Sequence, residues 1–269
     1  MLTTRSQRWR DRRARYVDDL SVIDTRLYAV DVLEPRRARA FVAAHHYLPS
    51  YPAAKLAVGL FGPGAAGRSE LAGVAVFGVP TTGAVIASHS GMPEAQGCCL
   101  SRLVLHESVP GNAESWTVAR AFRALRREKP EVEAVVSHSD PCAGHVGRVY
   151  AALSGHYRGQ SKPRTAYLIA GRPISGRTLS KIRLGERGDA GGVDQLVALG
   201  APRPRHAEPL DRWLDRLHRE RIIQRARLPG LHAYNFPLTP RARSASRRLR
   251  REPYPTIIDL PHPQLPLAL

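Results

Sequence analysis

Between Ser137 and Tyr150 the sequence reads SHSDPCAGHVGRVY, which sets His138, Asp140, His145 and Tyr150 among three glycine and alanine positions. An aspartate here has two kinds of work open to it. It can take a proton from a substrate amine or orient a histidine as part of an acid–base pair. It can also cap the helix that starts near Gly144, with Pro141 setting the turn. His138, Asp140 and His145 form H-x-D-x4-H, with His46 as a remote fourth ligand. That spacing fits no zinc signature. Two histidines and a carboxylate do suit a non-haem iron centre, so iron stays among the candidate cofactors, with His46, His138, Asp140 and His145 as the candidate ligands.

Three further stretches carry side chains of this kind. His45, His46 and Tyr47 stand together before the prolines Pro49 and Pro52. Ser101 and Arg102 interrupt an otherwise apolar strand, where polar groups need partners. Gly111, Asn112 and Ser115 lie in VPGNAES at the head of a long helical pattern.

The elements that must position these residues follow from periodicity. RLYAVDVL reads as a strand, and EPRRARAFVAAHHYL as a helix with proline at its start, whose last turn delivers His45 to Tyr47. KLAVGLFG and ELAGVAVFGVP are two β runs joined by a hairpin-like turn, and GCCLSRLVLHES is another strand. GNAESWTVARAFRALRRE is a helix with Asn112 as cap and Trp116, Ala119, Phe122 and Leu125 as its apolar stripe. VEAVVSHSD is a buried strand, GHVGRVYAALSG a short helix, and TAYLIAGRPIS a final strand. Strands and helices alternate after a hairpin, so the expected fold is α/β (α+β), a mixed sheet flanked by helices. His138 to Tyr150 then lie where a central strand ends and a helix begins. There side chains converge on a crevice, and free N–H groups favour anions. Gly144 and Gly147 would let a ligand or a neighbouring strand come close.

The expected organisation is a basic flexible arm over 1–25, a catalytic domain over 26–175, and a basic C-terminal extension over 176–269 that packs on the domain and contacts DNA. In that extension EPLDRWLDRLHRERIIQRA is the one fair helix.

Net charge is +18, with six arginines within residues 5–15 and six within 241–251. Such a balance points to a polyanionic partner, most simply nucleic acid. Arg247, Arg248, Arg250 and Arg251 are the phosphate contacts expected in the extension. No apolar run approaches the roughly 20 residues of a membrane span, and the N-terminus lacks the apolar core of a secretory signal. Three cysteines without a spacing pattern fit a reducing cytoplasm.

HHYLP, LAGVAVFGVP, LSRLVLHESVPGNAES, VVSHSDPCAGHVGRVYAAL, LHAYNF and PYPT together resemble, in that order, the Mom family of phage DNA-modification proteins. The resemblance implies a GNAT-like acyltransferase fold and a transferase acting in the cytoplasm of the infected bacterial host. Its partners would be double-stranded DNA and a small-molecule group donor. The reaction implied puts a carbamoylmethyl group on the exocyclic amine of adenine, which shields the DNA from restriction enzymes. It points to Asp140, His46, Tyr47, Tyr150 and Ser101 for catalysis. For the donor it points to Gly111, Asn112, Ser115, His145 and Gly147, and for DNA to Arg102 besides the C-terminal arginines. The sequence departs from the family pattern at His138 and Ser139, which precede the Asp-Pro pair. The donor would be acetyl-CoA or another acyl or aminoacyl compound. However, the R/Q-x-x-G-x-G/A pyrophosphate loop usual in GNAT enzymes is reduced to VPGNAES, with Gly111 alone in place. Two alternatives stand beside this reading: an N-acyltransferase acting on a small amine or a protein, and a non-catalytic DNA-binding protein on the same scaffold.

Overall fold

The computed structural model describes residues 6–10, 13–17, 22–64 and 68–255. The rest of the expected N-terminal arm, Thr256 of the PYPT motif and everything after it lie outside the described residues. Strands β1 (Ser6–Arg10) and β2 (Arg13–Val17) pair antiparallel, from Ser6 opposite Val17 to Arg10 opposite Arg13.

The chain continues through β3 (Ala29–Val32), α1 (Pro35–His45), β4 (Ala54–Pro63), β5 (Ser69–Gly78) and α2 (Ala84–Ser90). β6 (Gly97–Leu105), α3 (Ala113–Glu128), β7 (Ala134–Ser139), α4 (Arg148–Ala152) and β8 (His156–Gln160) follow. Then come β9 (Arg164–Ile169), β10 (Arg172–Ile174), α5 (Gly176–Leu184), α6 (Asp189–Ala198), α7 (Leu210–Arg219) and β11 (Gln224–Leu228). β12 (His232–Pro237) and α8 (Pro240–Arg247) complete the order. Seven strands form one mixed sheet in the order β3-β4-β5-β6-β7-β12-β8. Every neighbouring pair is antiparallel except β6 with β7.

Helices cover both faces, as a sheet with apolar side chains on both sides requires. Val135 of β7 packs with Phe77, Val118, Leu125, Tyr150 and Phe236, the cluster under α3 and α4. Its neighbour Val136 points the other way, into Ile86 of α2, Met92 just after it, Cys99 of β6 and Ala242 of α8. Val74, Val76 and Val104 on that second face pack with Ala38 and Val42 of α1.

The chain divides into two compact units, and the division does not fall at residue 175. One unit holds everything up to Ser161 together with the return segment from Leu231, and the other is built on Lys162–Gly230. The stretch expected to be one final strand, TAYLIAGRPIS, is the hairpin β9–β10, and β11 pairs on the other side of β9. Helix α7 stops at Arg219 although the helical pattern of the sequence runs on, because Gln224–Leu228 is a strand whose alternation is masked by arginines. The second unit has its own core, with Ile169, Ile182, Leu196, Trp213, Leu214 and Leu217 each at most 2% exposed.

The C-terminal arginines are carried by the first unit. Arg158 on β8 donates to the carbonyls of His89 (2.8 Å), Ser246 (2.9 Å), Leu249 (3.1 Å) and Arg250 (2.8 Å), and also to Ser246 Oγ. One guanidinium thereby ties the end of α8 to the sheet. It leaves Arg247, Arg248, Arg250 and Arg251 exposed, although Arg250 meets Glu252 at 2.6 Å and Arg251 bonds Tyr254 at 3.0 Å. Among the described residues no helix is long and apolar enough to cross a membrane.

Candidate active site

The central sheet opens between its two parallel strands. β6 and β7 pair from Gly97 opposite Ala134 to Leu100 opposite Ser137, and no further. Beyond that point β6 stays with β5 as far as Leu105, while β7 stays with β12 as far as Ser139. Two strands that each follow a different neighbour must part, and a β-bulge at Ser101 marks the place where β6 turns away. Ser137 closes the apex, its hydroxyl donating to Leu100 O at 3.2 Å. The gap is therefore flanked by Ser101–Leu103 on one side and His138–Asp140 on the other.

The loop after α1 reaches the residues beside this gap. His46 stacks on Tyr47 with ring centroids 4.5 Å apart, and Tyr47 lies 5.7 Å from the ring of His145. Arg102, expected as a DNA contact, is turned inward instead. It donates to Ser50 O (3.1 and 2.8 Å), to Ser50 Oγ (3.0 Å) and to Ser101 O (2.7 Å). Such a clamp fixes the 46–50 loop against β6 and so sets where His46 and Tyr47 stand. Ser101 bonds back to Cys99 O at 3.3 Å.

His46 is neutral at pH 7. Burial, then the charges of Arg102 and His145, push its pKa down to about 3. The Leu48 N–H donates to Nδ1 at 2.9 Å, so the neutral ring carries its proton on Nε2 and presents a donor there. His145 is also neutral, pushed down to about 4 by burial against the opposing pull of Asp140. Asp140 does cap, but it caps the short 3-10 turn Pro141–Ala143 and not α4. Its Oδ1 accepts the Cys142 N–H at 3.0 Å. One oxygen holds the turn, and the carboxylate as a whole lies close enough to His145 to act on its charge.

The face of the sheet under α3 and α4 adds residues that sequence reasoning missed. His232 stands opposite Ser139 on β12 and shares a 2.7 Å hydrogen bond with Tyr157 Oη. Ser139 Oγ is buried beside them with no hydrogen-bond partner among the described residues. Tyr150 packs 5.3 Å from Tyr234, whose hydroxyl donates to Val146 O. The motif LHAYNF did carry His232 and Tyr234, but nothing in it said which strand they would face.

Other expectations separate from this centre. His138 points to the opposite face, where its ring lies 5.8 Å from His89 of α2, and burial pushes it down to about 4. The four candidate iron ligands are thus not gathered, and no group of three or more potential ligands occurs among the described residues. They do not fit a metal centre as placed. Gly147 adopts φ +77°, yet its missing side chain makes room for Tyr234, whose ring lies 2.4 Å from where a Cβ would stand. Asn112 occupies the N-cap of α3 in the left-handed conformation (φ 63°) and makes no side-chain capping bond, contrary to expectation. Ser115 Oγ donates to Asn112 O at 3.1 Å. Gly111 accepts the Ile23 N–H at 3.1 Å and forms a β-bridge with Val22, so this loop is pinned and offers no glycine-lined cradle for a pyrophosphate.

Three half-buried neutral histidines make the fold acid-sensitive. His46, His138 and His145 bind fewer protons folded than unfolded between about pH 4 and pH 6.5, so stability is full above 6.5 and falls as pH drops. Each contributes a slope of up to about 1.4 kcal/mol per pH unit in that window. Denaturant titrations from pH 7.5 to 4.5 should show this loss, and replacing His138 with Gln should reduce the slope by about a third.

These features define a mixed α/β protein whose central sheet splits between two parallel strands beside an aspartate and neutral histidines. The sequence model of the Mom protein family matches residues 27–256, and the chain belongs to that family. It is 36% identical over 90 residues to the methylcarbamoylase mom of Escherichia phage Mu. That match takes in 33% of this chain and 37% of the relative, so it spans little more than a third of the curated protein. Among solved structures, a tandem GNAT protein from the clavulanic acid biosynthesis pathway is similar at TM-score 0.40 and 9% identity, over 79% of this chain and 99% of that one.

Proposed function

We propose that this protein is a DNA-modifying transferase that adds a carbamoylmethyl-like group to the exocyclic amine of adenine in double-stranded DNA. The observation that carries the reading is the gap between β6 and β7, with Asp140, Tyr47 and the neutral His46 and His145 beside it, in a chain of the Mom family. The amine of a stacked adenine cannot enter an enclosed site, so the base must leave the duplex. A flipped base needs an aromatic surface and hydrogen-bond donors, which the His46–Tyr47 stack and the Nε2–H of His46 supply. As the new N–C bond forms, the amine proton passes to the Asp140 carboxylate and the donor's leaving group departs with the bonding electrons. His145 would hold the donor beside Asp140. The pinned Gly111–Ser115 loop does not fit a pyrophosphate in the manner of GNAT enzymes, so no step is assigned to acetyl-CoA.

The exposed arginines at 247–251 would contact phosphates. Plasmid prepared from cells expressing the protein should resist restriction enzymes whose sites contain adenine and remain sensitive to those whose sites lack it. Equal cutting by both sets would count against the reading.

A further inference from the structure

The unit Lys162–Gly230 carries fifteen Lys and Arg against seven Asp and Glu. Its carboxylates are mostly spent. Arg177 pairs with Glu186 (3.4 Å), Arg183 with Asp215 (3.0 Å) and Arg203 with Asp194 (3.3 Å), while Arg216 takes Glu208 (2.7 Å) and Glu220 (3.6 Å). Asp189 accepts its neighbour's N–H at 2.6 Å.

An open depression of about 660 Å³ lies where α7 gives way to β11, lined by His218, Arg219, Arg221, Ile223, Gln224 and Arg225. Arg219, Arg221 and Arg225 are exposed, and among the described residues none has a carboxylate at ion-pair distance. Three cations at one concavity without counter-charges repel one another in the absence of a bound anion.

Two details sharpen this. Arg221 has φ +56°, the left-handed position after a helix where glycine is favoured, and its N–H donates to His218 O at 3.2 Å. A non-glycine residue there costs about 1 kcal/mol, and what it gains is a cation on the rim. Beneath the rim, Arg225 lies over the ring of Tyr167 at 5.9 Å, and Tyr167 meets His218 edge-on at 6.0 Å, which holds the Arg225 side chain in place. Burial and then the charge of Arg225 hold His218 below its ordinary pKa, as a site of positive potential would.

We propose that the depression lined by Arg219, Arg221 and Arg225 binds the phosphate backbone of duplex DNA, as a second grip in a different unit from the candidate active site. The inference rests on the DNA-modification reading for its ligand. It differs from the phosphate contacts expected at residues 247–251 in place and in kind, since it is a concave cluster and not a linear run.

The test is the binding of full-length protein to a 30-base-pair duplex across a salt series, for wild type and for R219A/R221G/R225A. Loss of three phosphate contacts should lower the slope of log K against log salt by about 2–3. The matching R219K/R221K/R225K variant should keep most of the slope, because counterion release depends on charge. The Arg221→Gly change relaxes the backbone, so thermal unfolding should show the alanine-containing variant folded. Wild type that binds duplex with a slope the triple variant leaves unchanged would overturn the surface and leave the modification reading intact. Wild type that neither binds duplex nor alters plasmid DNA would overturn that reading and the surface with it. Preference of the wild type for phosphatidylserine vesicles over duplex, abolished in the triple variant, would overturn DNA as the ligand.

Discussion

Asp140→Asn should lower DNA modification by at least about 10²-fold while leaving stability and duplex affinity near wild type. The substitution keeps size and shape, and the amide oxygen can still accept the Cys142 N–H that Asp140 Oδ1 accepts at 3.0 Å. The cap on Pro141–Ala143 therefore survives. What disappears is the negative charge beside His145 and the capacity to take a proton at neutral pH. The two roles that the sequence leaves open for Asp140 thus separate in one variant. Modification measured on plasmid in cells, alongside denaturant unfolding of the purified protein, checks both. An Asn variant that modifies DNA as wild type does would reduce Asp140 to a cap. His46 would make a poor substitute base, because its Nδ1 is occupied by the Leu48 N–H and its pKa is near 3.

Gly147→Ala should cost about 2–4 kcal/mol of stability, the sum of a left-handed backbone penalty and an overpacked core. The backbone there is at φ +77°, and the new Cβ would stand 2.4 Å from Tyr234 Cε2 and 2.6 Å from its Cζ. Tyr234 cannot retreat. It is fully buried, its hydroxyl is bonded to Val146 O, and Tyr150 and Tyr157 pack at 5.3 and 5.1 Å. A fall in melting temperature of about 5–15 °C is expected for a chain of this size. Unchanged stability would mean that the glycine serves a ligand and not the packing of Tyr234.

Much of the sheet could be read from sequence because its central strands are apolar on both faces. AVVSHS buries all but one residue and GCCLSRLVL six of nine, and such runs have few alternatives to a covered sheet. β8 (HYRGQ) and β12 (HAYNFP) carry no legible local pattern, since half their side chains are polar and find partners only across the sheet. Asn235 bonds Ser246, and His232 bonds Tyr157, 75 positions away. Helix α2 is seven residues of mostly small side chains, too short to show a period.

The candidate site divides along the same line. His46, Tyr47 and His145 were readable as chemistry-bearing residues near element ends, and the fold brings their rings together. The gap beside them depends on which neighbour each of two strands keeps, and no local pattern encodes that. The alternation of β7 sends His138 to one face and Ser137 and Ser139 to the other, which undoes the H-x-D-x4-H spacing as a ligand set. Arg102 interrupts an apolar strand and so requires partners, and its position opposite Val76 with four bonds to the 50 loop and its own strand makes it a brace.

The most direct test of the central claim is mass spectrometry of nucleosides from plasmid DNA of cells making this protein, with the Asp140→Asn variant as control. The proposal predicts a mass-shifted deoxyadenosine from wild type, absent from the control, with the other three nucleosides unchanged. Unshifted deoxyadenosine from cells that contain the folded wild-type protein would contradict it.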